Sequence, residues 1–113
     1  MRLTSAFFVA ATLRRVASEG GFAALRRRGE EQAGAIYVLV DCLDGTGVLL
    51  GPAPQASYED KPSERFFARL HKEERASLAV IEARLEKEIR FDPDCFVIEI
   101  EDRMGRPFVA TIA

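Results

Sequence analysis

The 113-residue chain contains no tryptophan and a single histidine, His71. A metal site or a catalytic triad built on one histidine needs partner residues that the sequence does not mark. No HExxH or nucleophile-elbow motif surrounds it, so His71 reads as a surface side chain. Cysteine is almost as scarce. Cys42 and Cys95 are the only two, and no CxxC spacing marks a metal or redox motif. Both lie in apolar, strand-like runs, where cysteine serves as a small buried hydrophobe. They are expected to be reduced, in a cytoplasmic protein. Glycine-rich phosphate loops are missing, because Gly45-Thr46-Gly47 lacks the third glycine of a dinucleotide loop and the lysine of a P-loop. No apolar run reaches the roughly 18 residues of a membrane-crossing helix, so no membrane partner is expected. The faint signal-peptide pattern of Leu3–Leu13 runs into Arg14-Arg15, where a small-residue cleavage site would belong. Ser57, Ser63 and Ser77 carry no activating neighbours. Enzyme status therefore stays open without a catalytic signature, and neither a cofactor nor a bound metal is expected.

What is present is ordinary for one soluble domain spanning residues 1–113: 48% apolar and 30% charged residues around a net charge of −2. The charge is unevenly placed. Residues 1–28 hold six arginines and one acid, Glu19, whereas the remainder holds ten basic and seventeen acidic side chains. Such a split marks either a basic binding patch or two regions that attract each other within the fold. The internal reading is preferred. It pairs Arg14, Arg15, Arg26, Arg27 and Arg28 with Glu30, Glu31 and the acids near residue 100. Nucleic acid is not an expected partner. Phe22 is the only aromatic beside the arginines, and single-strand binding needs stacking aromatics among the cations.

Along the chain, Thr4 or Ser5 can cap a helix. Ala6, Val9, Ala10, Leu13, Val16 and Ala17 fall at helical spacing, with Phe7 and Phe8 widening the stripe into the core. Gly20-Gly21 ends this helix. Phe22–Gly29 could be a strand or a short helix, and its seven or so residues favour a strand. Gly29–Gly34 reads as a polar turn. Ala35–Cys42 is β-branched, aromatic and apolar on both faces, which predicts a central strand covered on both sides. Asp44–Gly47 is a hairpin turn into Val48–Leu50, and pairing should stop at Pro52. Residues 55–63 read as an exposed loop. Arg65–His71 fits a strand or a helix, with the strand favoured. Glu73–Arg90 is an amphipathic helix with Leu78, Ile81, Leu85 and Ile89 on one face. Glu73 and Glu74 suit its first turn, and Glu82–Glu86–Arg90 and Arg84–Glu88 lie at ion-pair spacing.

The stretch Phe91–Arg103 joins the clearest breaker, Asp92-Pro93-Asp94, to a period-two strand. Phe96, Ile98 and Ile100 point one way; Cys95, Val97, Glu99 and Glu101 point the other. Met104–Pro107 is a turn, and Phe108–Ile112 a short strand or an ordered tail. Asp92, Asp94, Glu99 and Glu101 are the densest carboxylates and could bind a divalent ion or divide acid and base roles if they converged. Their spacing is not that of an EF-hand. Glu99 and Glu101 sit about 6.5–7 Å apart along a strand, too far to share an ion unaided. The plainer reading is the soluble face of an edge strand. With Arg26, Arg27, Arg28 and Arg103, these four acids are the candidate binding residues.

The segment RFDPDCFVIEIEDR resembles the C-terminal signature of a small alphaproteobacterial family of about this length. LTSAFFVAATLRRV, GGFAALRRRG, AGAIYV and GPAPQ resemble the same family in the same order. Cys95 departs from it, standing where a larger apolar side chain is expected. The resemblance implies one compact domain. It brings no assigned activity and no catalytic residue.

The expected fold is a small α/β (α+β) domain. A mixed or mostly antiparallel sheet of four to five strands carries two main helices, placed on opposite faces by the doubly apolar Ala35–Cys42; both helices on one face is the alternative. Two functional hypotheses follow. One is a non-catalytic interaction or scaffold module, a homodimer or a binder of another protein. The other is a metal-dependent enzyme or phosphate-ester binder built on the acidic strand and an arginine clamp.

Overall fold

The computed structural model describes residues 3–54 and 64–112; the loop expected at 55–63 lies outside them. Two helices and six strands follow in the order α1 (Ser5–Ser18), β1 (Phe22–Arg27), β2 (Ile36–Asp41), β3 (Thr46–Pro52), β4 (Phe67–Arg69), β5 (Ala76–Ser77), α2 (Leu78–Phe91) and β6 (Phe96–Glu101). The sheet order is β1-β6-β2-β3-β4, with β5 pairing on β3. Among these strands, only the β2–β6 pair is parallel. Six strands rather than five result because the two-residue β5 joins the sheet.

Ile36–Val40 is buried throughout, no residue more than 8% exposed. Ile36, Val38 and Val40 join Phe96, Ile98 and Ile100 under α1, with Val9 and Val16. Tyr37 and Leu39 join Cys95 and Val97 under α2, with Ile81 and Leu85. The helices therefore cover opposite faces, as the doubly apolar strand requires. Cys42 and Cys95 are both free and buried.

The phase of α1 differs from its apolar pattern. Its buried residues are Ser5, Val9, Thr12 and Val16; Ala10 and Ala17 face outward, and Phe7 is 58% exposed rather than in the core. The cause lies at the N-terminus of the helix. Thr4 caps it by accepting from the Phe7 N–H at 3.2 Å. The Ser5 hydroxyl donates to Gly34 O at 2.6 Å, and the N–H groups of Ser5 and Ala6 donate to Gln32 O and Glu31 O. These bonds pin the first turn to the 31–34 turn and set the rotation. Phe8 instead stacks on Phe67, ring centroids 5.8 Å apart.

α2 starts later than its pattern. Ser77 is the cap, accepting from the Val80 N–H at 3.3 Å, so Glu73 and Glu74 lie in the preceding bend and not in the first turn. The hydroxyl cap outweighs the acidic preference of a helix start. Arg84 pairs with Glu88 at 2.7 Å, while Glu82 turns to Arg26.

Two further expectations are corrected. Pairing continues through Pro52, which sits opposite Phe67. The N–H and C=O of Phe67 both face the other way, to Ala110 O and the Ile112 N–H, so the missing proline donor is not needed there. The same bonds, with the Phe67–Thr111 bridge, lay residues 110–112 along the outer side of β4. β6 is also not an edge strand: it lies between β1 and β2, and among the described residues β1 is the edge strand on that side.

His71 is not a free surface side chain. β4 pairs with β3 at Leu50–Pro52 and β5 at Thr46–Gly47, leaving Leu49 between them. Leu70 N–H donates to Leu49 O, and the Leu49 N–H donates to His71 Nε2 at 3.0 Å. The imidazole stands in for a backbone carbonyl in the ladder. Its Nδ1 lies 2.8 Å from Glu73 O. A carbonyl can only accept, so the ring is the neutral tautomer with its proton on Nδ1.

Candidate interaction surface

The eight candidate residues do not meet at one point. Asp92 and Asp94 precede β6; Glu101 and Arg103 lie at its far end, roughly 20 Å away at about 3.3 Å per residue. Asp92 closes the turn after α2, accepting from the Asp94 N–H at 3.2 Å. Among the described residues, no group of three or more His, Cys, Asp or Glu side chains is placed to hold a metal ion.

The arginines separate as well. A β-bulge between Leu25 and Arg27 shifts the β1–β6 register so that Arg27 faces Val97. Both Arg26 and Arg27 are thereby turned to the α2 side, the re-aiming that an extra strand residue produces. Arg26 bonds Glu82 at 2.6 Å and Glu99 at 3.1 Å. Arg27 donates to Pro93 O at 2.6 Å. Arg28 is exposed. The acidic strand takes one of the expected arginine pairings, through Glu99. Glu30 instead closes its own turn, accepting from the N–H groups of Gln32 and Ala33. Those two bonds hold its carboxyl below the usual range.

A different set of residues does converge. At the end of the sheet where β1 begins and β6 stops, a groove of about 440 Å³ is lined by Phe22, Leu43 and Met104 together with Glu101, Asp102 and Arg103. The three apolar side chains are 54%, 43% and 74% exposed. Each is held by the local fold. Gly20, at φ +80°, caps α1 and turns the chain into Phe22. Phe22 pairs with Glu101 in the ladder. Leu43 has φ +63°, a region that disfavours large side chains. It is kept there by its N–H bond to Asp41 Oδ1 at 2.8 Å. Met104 sits on a turn closed by Asp102: Asp102 O accepts from the Gly105 N–H, and its carboxylate accepts from the Arg106 N–H at 2.7 Å and from Arg106 Nη2 at 2.8 Å. The Arg106 side chain holds the Asp102 carboxyl below its ordinary range. That guanidinium also lies 5.2 Å from the centre of the Phe108 ring, and Arg15 donates to Phe108 O. The turn is thus braced from α1 as well.

Of this groove, the sequence reading singled out Glu101 and Arg103. Leu43 and Met104 were missed. The available signal was a large apolar residue inside each of two turn segments, where there is no strand or helix face to bury it.

The fold and the groove define a small α+β protein with an ordered, partly apolar surface at one end of a covered sheet. The chain belongs to a family described as a protein of unknown function (DUF1491), whose model matches residues 3–110. A crystal structure of a DUF1491 family protein from Caulobacter crescentus is 34% identical, with a TM-score of 0.80 and 100% of both chains covered. A solution structure of a protein from A. tumefaciens is 41% identical, with a TM-score of 0.81, covering 99% of this chain and 96% of that one. No protein with a curated description matches. Among the described residues no helix is long and apolar enough to cross a membrane.

Proposed function

We propose that this protein is a non-catalytic interaction module, working in the cytoplasm, which docks on a second copy or on another protein through the Phe22–Leu43–Met104 groove. The observation that carries this reading is the convergence of three exposed large apolar side chains on one groove with an ionic rim. Contiguous apolar surface ringed by polar groups is the usual mark of a protein-binding site. Because the two turns are already braced, little ordering cost remains on association. The Arg90–Arg103 segment, which resembles the family's C-terminal signature, supplies Glu101, Asp102 and Arg103 to this rim.

The test is sedimentation at rising concentration, together with lysate capture, on the wild type and on a Phe22→Ser/Met104→Ser double variant. Association or capture that the variant loses supports the reading. A wild type that stays monomeric and captures the same proteins as the variant sinks it.

A further inference from the structure

We infer that His71 is a proton-operated latch on the sheet: a second proton on its ring breaks the bond to Leu49, releases the ring and the residues that follow it from β3, and opens a path between two cavities that His71 lines. The first cavity is a cleft of about 650 Å³ beside β3, walled by Val48, Leu50, His71 and the C-terminal segment at Pro107 and Ile112. The second is a pocket of about 170 Å³ beneath α2, walled by Leu49, Leu70, His71, Val80, Ile81 and Arg84. The His71 side chain is common to both.

The chemistry of the bond makes the latch sensitive to one proton. Neutral imidazole has one acceptor nitrogen, and here it receives the Leu49 N–H. Imidazolium has two donors and no acceptor. Protonation would set N–H against N–H and leave the Leu49 donor without a partner inside the sheet, a loss that a buried amide does not tolerate. Water or solvent must then reach Leu49, and the ring must leave.

The charged groups around the ring act in both directions. β4 presents Arg69, whose Nε and Nη2 donate to His71 O and Lys72 O at 3.0 and 3.1 Å. α2 presents Arg84, whose Nη1 donates to Leu70 O at 3.0 Å. Both cations oppose a charged ring. The loop itself contributes Lys72, Glu73, Glu74 and Arg75, with Arg75 tied to Asp44 at 3.6 Å and to Arg103 O. β3 contributes only Val48, Leu49 and Leu50 to the two cavities. Burial is the main influence pushing the His71 pKa below its ordinary value, with Arg69 and Arg84 assisting and the Glu73 carbonyl and carboxylate opposing. Arg69 and Arg84 grip the 70–72 backbone in either state, so release is local to the ring and the residues that follow it.

Amide exchange at about pH 7.5 and about pH 5.0, the interval in which histidine changes charge, tests the latch. After correction for the intrinsic rate, protection of the Leu49 amide should fall by about tenfold or more at the lower pH, while the central Val38 and Ile98 amides keep theirs. The fall should track the His71 ring titration followed by NMR. His71→Gln keeps a neutral acceptor near Nε2 and should make Leu49 protection independent of pH. Equal Leu49 protection at both pH values overturns the latch. So does a fall shared equally by Val38 and Ile98, or one that persists in the glutamine variant.

Discussion

Arg26 on the outer strand and Glu99 on its neighbour are joined at 3.1 Å, and the same guanidinium holds Glu82 on α2 at 2.6 Å. One side chain thus ties edge strand, second strand and helix together. The Arg26 side chain is 38% exposed, so solvent screening keeps its contribution small. Arg26→Gln should cost less than about 1 kcal/mol in urea unfolding, with the m-value unchanged. A loss several times larger would mean that the bulge itself depends on this arginine.

Thr12 is fully buried in α1, and its hydroxyl has no hydrogen-bond partner among the described residues. Valine has nearly the same shape without that group. Thr12→Val should stabilise the fold by about 1 kcal/mol, since an unpaired buried hydroxyl is a net cost. Thermal unfolding would show a rise of roughly 4–8 °C. A lowered midpoint would instead place an acceptor at that hydroxyl.

Leu43 separates stability from docking. Its positive φ costs roughly 1–2 kcal/mol in a residue with a side chain, and its side chain is 43% exposed. Leu43→Gly should leave unfolding free energy unchanged or higher by up to about 1 kcal/mol, after glycine's own entropy cost. The same change should weaken association through the groove. Weakened folding with undiminished association would contradict both statements.

His71 sets a pH dependence with a definite sign. Its pKa is lower in the folded state than in the unfolded chain, so between the two values the unfolded state binds more protons. Stability is then complete above the ordinary histidine pKa and declines as the pH falls toward the depressed folded value. Denaturant midpoints should drop on acidification through this window in the wild type and not in His71→Gln. An identical pH profile for the two proteins would rule out His71 as the source.

Tyr37 acts at the other end of the scale. Burial, and then the nearby Glu88 carboxylate that its hydroxyl bonds at 3.2 Å, push its pKa up to about 12. The folded state therefore keeps this proton when the unfolded chain has lost it, and stability should fall as the pH rises from about 10 toward about 12. Absorbance titration should show one tyrosine ionising near the upper limit, a step removed by Tyr37→Phe.

Much of the architecture was legible because burial leaves a pattern. Ile36–Val40 is apolar on both faces, a pattern that itself requires two covering layers. The Asp92-Pro93 break required the helix expected at Glu73–Arg90 to stop by Phe91, which is where α2 ends. Where prediction failed, a non-local bond decided. The rotation of α1 depends on Ser5 reaching Gly34, 29 residues away, and local periodicity favoured the alanines. The pairing through Pro52 depends on which side of Phe67 meets residues 110–112. The candidate site was least legible. Charged residues crowded together in sequence were separated by the length of β6, while Phe22, Leu43 and Met104, scattered in sequence, came together because three chain turns fall at one end of the sheet.

The placement of β6 bears on how this molecule is made. The strand enters the chain after all five others, yet it occupies the seam between β1 and β2. A nascent polypeptide that has not yet delivered residues 96–101 leaves β1 without its ladder neighbour and the greasy flank of β2 bare. Productive folding must therefore wait for that segment, and the delay exposes a sticky edge that a cell would have to shield.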